Sequence, residues 1–187
     1  MKMDVKELYL KVNELMGTEV KVEGWIRNHR KQAHFGFIDF HDGTNFKSVQ
    51  VVYEDHIVEN FEEITKFRIG SAIEVIALVA PSEGKGQEFE LKAKKVTLLG
   101  DCPEDFPIQP KRHTREFLRE VAHLRPRTNL FQAIFRIRSV AAHAIHTYFQ
   151  ERNYLYVHTP LITCADCEGS DQMFKISTLN FDNVPLN

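Results

Sequence analysis

Between Thr128 and Thr163 the apolar residues change their spacing once. Leu130, Ile134, Ile137, Ala141, Ile145 and Tyr148 recur every three or four residues, the period of one helical face. Phe131, Phe135, Ala142 and Phe149 fall on neighbouring faces, which predicts a helix covered from more than one side. Thr128 or Asn129 can cap its start, with Gln132 where a capping-box partner of Asn129 stands. A helix of about 24 residues, roughly 36 Å long, is predicted to end near Arg152 and Asn153. Tyr154 to Thr159 is then rich in aromatic and β-branched residues, a predicted strand, and Pro160 marks its boundary.

Upstream the period shortens to two. Val5 to Leu15 reads as one amphipathic helix ending at Gly17, and Val20 to Ile26 as a strand bent or bulged at Gly24. Phe35 to Phe40 and Phe46 to Tyr53 flank the turn His41–Thr44 and predict a hairpin. A helix over Ile57–Phe67 follows, then strands at Ala72–Val79 and Phe89–Leu98 around the turn Pro81–Gln87. Three strands, a helix and two strands are the order of an OB-fold, a small barrel whose face commonly binds oligonucleotides. A small barrel built for protein contacts has the same order. Gly100 to Pro110 contains three prolines and reads as a linker. The predicted division is a barrel over 1–100, a hinge over 101–127, and the start of an α+β domain over 128–187.

Composition narrows this picture modestly. With 43% apolar and 27% charged residues, the 187-residue chain is ordinary for a globular protein. No apolar run approaches the ~20 residues of a membrane span, and MKMDVKELYL is no signal peptide. Three cysteines, odd in number and poorly spaced for disulfides, favour a reducing compartment, so a cytoplasmic location is expected. Net charge is −2, yet residues 27 to 31 and 111 to 127 are crowded with Arg, Lys and His. Such local patches permit RNA binding without a basic total. Cys164 and Cys167 form a CxxC that reads as a redox pair or half a zinc site; no second half follows, and no metal site is expected. His143 and His146 stand one turn apart and read as structural. No G-x-S-x-G, HExxH or P-loop pattern occurs.

Specific stretches carry a family resemblance. VEGWIRNHR, FGFIDFHDG and SVQVVYED resemble the anticodon-binding barrel shared by aspartyl-, asparaginyl- and lysyl-tRNA synthetases. The resemblance implies that Phe37 stacks on an anticodon base, that Gln50 reads the central uridine, and that Arg30 and Glu90 also contact the anticodon. The residue chemistry suits those roles. Stacking on an aromatic contributes about 1–3 kcal/mol per base without choosing among bases. Choice needs paired donors and acceptors, which Gln50 offers from one amide, while Glu90 offers acceptors only and Arg30 a planar fork of donors. Singly, each has a plain alternative: Phe37 a core residue, Gln50 a surface strand residue, Glu90 and Arg30 solvated charges.

The segment KRHTREFLREVAHLRPRTN, with Leu124–Arg125–Pro126–Arg127 at its heart, resembles the hinge of bacterial-type asparaginyl-tRNA synthetases. Arg112, Arg115, Arg119, Arg125 and Arg127 could hold RNA backbone or pair with nearby acids such as Glu116 and Glu120; for any one of them a salt bridge is expected. The helix, strand and Pro160 resemble the first signature motif of class II synthetases, which implies a homodimer interface at Phe135, Tyr148 and Pro160. Glu168–Gly169 resembles the mobile loop whose glutamate binds the amino acid's α-amino group. The implied reaction is ATP- and Mg²⁺-dependent attachment of asparagine to tRNA-Asn. The second and third signature motifs do not occur before Asn187, so this chain by itself is expected to catalyse neither activation nor transfer. An inactive tRNA-binding module and a relative of aspartyl-tRNA synthetase are the alternatives.

Overall fold

The computed structural model describes residues 2–82, 84, 86–162, 176 and 178. Two compact units divide the chain, Met1–Ala141 and Ala142–Asn187.

In the first unit a short α1 (Val5–Leu10) and α2 (Val12–Leu15) precede five strands. These are β1 (Glu19–Lys31), β2 (Phe35–His41), β3 (Val49–Glu54), β4 (Ala72–Pro81) and β5 (Phe89–Gly100). They close a barrel in the order β1-β2-β3-β5-β4, antiparallel except between β3 and β5. Closure removes the free strand edges that would otherwise invite pairing with other chains. Alternation along β4 shows how sequence becomes core: Ile73, Val75, Ala77 and Val79 are buried while the residues between them face outward. Ile38, Phe40, Val51, Tyr53 and Leu91 meet them inside.

The predicted order of elements holds, with local corrections. The N-terminal helix is two pieces, because Lys11 leaves helical geometry (φ −115°, ψ 19°). Asp4 caps the first piece in a reciprocal capping box with Glu7. The helix expected over 57–67 is one turn, α3 (Phe61–Ile64); Val58, Ile64 and Phe67 are drawn into the barrel core, and the Phe67 carbonyl turns to His29. The irregularity in β1 lies between Ile26 and Asn28 rather than at Gly24. Gly24 serves close packing instead: a Cβ there would sit 2.6 Å from the His41 carbonyl oxygen and 2.7 Å from the Phe40 ring.

Residues after the barrel gather a second small apolar cluster of Cys102, Phe106, Ile108 and Leu118, with Phe131 against it. It includes α4 (Arg115–Glu120), capped by the Thr114 hydroxyl, which accepts from the Phe117 N–H. A 3₁₀ turn, Arg125–Arg127, leads into α5 (Asn129–Gln150). Thr128 rather than Asn129 begins that helix: its hydroxyl faces the Phe131 N–H at 3.4 Å and its carbonyl accepts from Gln132. Asn129 and Gln132 are therefore not a capping box; the Asn129 side-chain Oδ1 accepts from Arg27 at 2.6 Å, and Gln132 turns to His41.

In the second unit α5 ends at a turn in which Asn153 takes a left-handed conformation (φ 62°). The predicted strand at Tyr154–Thr159 does not form. Its residues lie exposed and, among the described residues, pair with no other strand, and an isolated strand has no ladder to hold it.

Candidate nucleic-acid interface

The bulge at Arg27 determines what the barrel's outer face can do. Before it, Val20, Val22 and Ile26 point inward; after it, the phase is inverted, so His29 turns in and Asn28 and Arg30 turn out. His29 is then held inside, Nδ1 donating to the Phe67 carbonyl at 3.0 Å and Nε2 accepting from the Tyr53 hydroxyl at 2.7 Å. Burial lowers its pKa, and burial pushes the Tyr53 phenol up to about 12. Gly36 permits this packing, since any Cβ there would land on the Tyr53 ring.

The four residues matched to anticodon contacts come together on the outer face. Phe37 is half-buried and outward, while Ile38 and Phe40 fill the core, so the core-residue alternative does not hold. The Arg30 guanidinium lies 5.3 Å from the centre of its ring, and Phe35 meets it edge-on at 5.4 Å. Arg30 Nη2 also faces Gln50 Oε1 at 3.4 Å, and Gln50 Nε2 faces Glu90 Oε2 at 3.4 Å. A cation on one side and a carboxylate on the other leave the Gln50 amide one chemically sensible orientation. Both contacts are long for hydrogen bonds, so the amide is aligned yet free to exchange them for a better partner.

Glu90 is not a solvated charge. It is 6% exposed and also accepts from the Ser82 hydroxyl at 3.1 Å. Arg30, Phe37 and Gln50 open on a cleft of about 210 Å³ whose lining adds Asn28, Asp39, Ser48 and Gln87. Sequence reading passed over these four. Period-two counting from Phe37 would have placed Asp39 on the outer face; Asn28 needed the bulge, which no residue type announces.

A second, basic surface of the same unit lies around Trp25. Arg27, Lys111, Arg112, Arg115, Arg127 and Arg136 line an open cleft of about 1720 Å³. For Arg125 and Arg127 the expected salt bridges are replaced by stacking. Arg127 lies 4.6 Å from the Trp25 ring and 5.7 Å from Phe106; Arg125 lies 4.7 Å from Phe131 and 5.7 Å from Phe135. Weak hydration lets a guanidinium lie on aromatic faces where an ammonium would not. Among the described residues the only arginine ion pair is Arg68 with Asp101, at 2.7 Å. Beside the cleft His41 is buried, accepts from the Gly43 N–H through Nδ1, and has its pKa lowered by burial and then by Arg27.

Phe135 is half-buried beneath Arg125. In the other unit Tyr148 is 52% exposed with Arg152 over its ring at 3.7 Å, and Pro160 is exposed. Glu168, Cys164 and Cys167 lie outside the described residues. No helix among the described residues is long and apolar enough to cross a membrane.

Residues 20–99 match the family model of the OB-fold nucleic acid binding domain, and residues 114–184 that of class II tRNA synthetases (D, K and N). Together the two segments and the closed barrel liken the chain to class II tRNA synthetases of that group. Within it, the likeness along the whole chain is to asparagine–tRNA ligases. The enzyme of Acholeplasma laidlawii is 51% identical over 187 residues, 100% of this chain and 40% of the relative. That of Clostridium novyi is 51% identical over 181 residues, 97% of this chain and 39% of the relative. The crystal structure of asparaginyl-tRNA synthetase from Pyrococcus horikoshii complexed with asparaginyl-adenylate superposes with a TM-score of 0.77 at 25% identity, covering 90% of this chain and 39% of that one. The chain thus spans about two-fifths of the length of the curated relatives it matches.

Proposed function

We propose that this chain is the anticodon-gripping part of an asparagine–tRNA ligase, the enzyme that joins asparagine to tRNA-Asn at the expense of ATP. In this reading residues 1–100 hold the anticodon loop, 101–127 form the hinge, and 128–187 begin the catalytic domain. The observation that carries it is the convergence of Arg30, Phe37, Gln50 and Glu90 on one outward face of the barrel. A half-buried ring on the outer face accepts a base by stacking; an amide held loosely between Arg30 and Glu90 exchanges those contacts for a uridine edge. Arginines around the Trp25 cleft supply positive charge for the RNA backbone.

Phe135, Tyr148 and Pro160 are assigned to contact with a second copy of the chain, and Glu168 to the amino group of asparagine. ATP and Mg²⁺ are used by class II synthetases in general. Among the described residues no cluster of three or more His, Cys, Asp or Glu could hold a metal ion, so no step through Mg²⁺ or ATP is drawn from them.

Binding of the 187-residue chain to an RNA hairpin bearing the tRNA-Asn anticodon tests the reading. Phe37→Ala is expected to weaken binding about 5- to 150-fold, the equivalent of one lost stack. Gln50→Ala is expected to erase preference for uridine at the centre of the triplet. Full affinity in both variants would refute the assignment.

A further inference from the structure

We propose that Asn28 and Asp39 form a second base-reading subsite beside Phe37 and Gln50, and that it takes the edge of a uracil. The inference rests on the anticodon reading above. Strand register pairs Asn28 with Asp39, and Asp39 with Gln50. Gln50 in turn reaches Glu90 on β5. Four polar side chains therefore stand in one row across four neighbouring strands, where an outer barrel face could as well have carried unrelated residues.

The ends of that row offer different chemistry. Asn28 Oδ1 already accepts the His29 N–H at 2.9 Å, which leaves its Nδ2 as a donor. Asp39 is half-buried and lines the cleft, and the side-chain bonds along the row run Arg30–Gln50, Gln50–Glu90 and Ser82–Glu90, none of them to Asp39. An ionised Asp39 is acceptor-only. A donor and an acceptor side by side match a carbonyl beside an imino N–H, which uracil presents as O4 or O2 next to N3–H. Cytosine in the same placement would set the N3 lone pair against the carboxylate, and the water it displaced from Asp39 would go unreplaced.

Asparagine codons are complemented by the triplet G-U-U. With Gln50 on the middle uridine, guanine's two adjacent donors suit Glu90, which offers acceptors only, and the remaining uridine falls to Asn28 and Asp39. The order of bases then follows the order of strands.

Fluorescence anisotropy on the 187-residue chain decides the matter, using hairpins that display G-U-U, G-U-C, and G-U-U with its last uridine methylated at N3. The unaltered chain is expected to bind the first about tenfold more tightly than the other two. Asp39→Asn should bring those ratios within about twofold, and Asn28→Ala should shrink them, with both variants melting like the parent chain. Phe37→Ala should weaken all three complexes alike. If Asp39→Asn and Asn28→Ala keep the tenfold preference while Phe37→Ala weakens binding, the subsite is wrong and the anticodon reading stands. If neither Phe37→Ala nor Gln50→Ala changes affinity, both fall together. Should Asp39→Asn melt early, the Asn28→Ala ratios decide in its place.

Discussion

The two compact units use their apolar residues in opposite ways. In Met1–Ala141, Phe40, Ile38, Val51, Ile73 and Leu91 are wholly buried inside a barrel that closes on itself. In Ala142–Asn187, Ile145, Tyr148, Leu155 and Val157 are mostly exposed, Leu155 at 90%. Residue types are similar; partners are not. A closed barrel supplies every strand with two neighbours, whereas Tyr154–Pro160 has the composition of a strand and, among the described residues, no ladder to join. In the proposed reading a second copy of the chain covers that apolar surface.

That contrast can be broken most sharply inside the barrel. Phe40→Ala removes a ring that is 0% exposed and should cost about 3–5 kcal/mol, read as a large fall in the urea midpoint. Acid should weaken the same unit more gradually. Burial lowers the pKa of His29 and His41 from the ordinary 6.5. Above that value both are neutral folded or unfolded; below it the unfolded chain takes up protons that the folded chain resists, so stability falls as pH drops through 6.5. Melting curves across that range should show the loss, and His29→Gln should flatten it; a profile unchanged by the substitution would refute its cause. Smallest of all, Ile145→Ser should alter stability by no more than about 0.5 kcal/mol, because its side chain is already in water. Its effect should appear in sedimentation instead, as weaker self-association at high concentration. A chain that sediments as a clean monomer before the substitution would count against an interface there.

Much of the fold was legible because period and composition report local demand. Alternation along Ala72–Val79 and Phe89–Leu98 located β4 and β5, and three- and four-residue spacing located α5. Helix limits were less legible. Capping by Thr128 instead of Asn129 depended on Asn129 and Gln132 having partners, Arg27 and His41, more than ninety residues distant in sequence. Arg125 and Arg127 differ from expectation for a related reason: their charge suggests acids, but the groups packed against them are the rings of Trp25, Phe106 and Phe131.

By itself the sequence determined which residues prefer water and in what rhythm, and hence the order of the elements and the long helix. Only the tertiary structure decided that Asn28 and Arg30 share the outward face of Phe37 and Gln50, because one extra residue at Arg27 reverses the phase of β1. It alone placed Glu90 out of solvent beneath Ser82 and Gln50. Side-chain direction in a strand is a matter of parity, and parity is counted from pairing partners that a linear chain does not display.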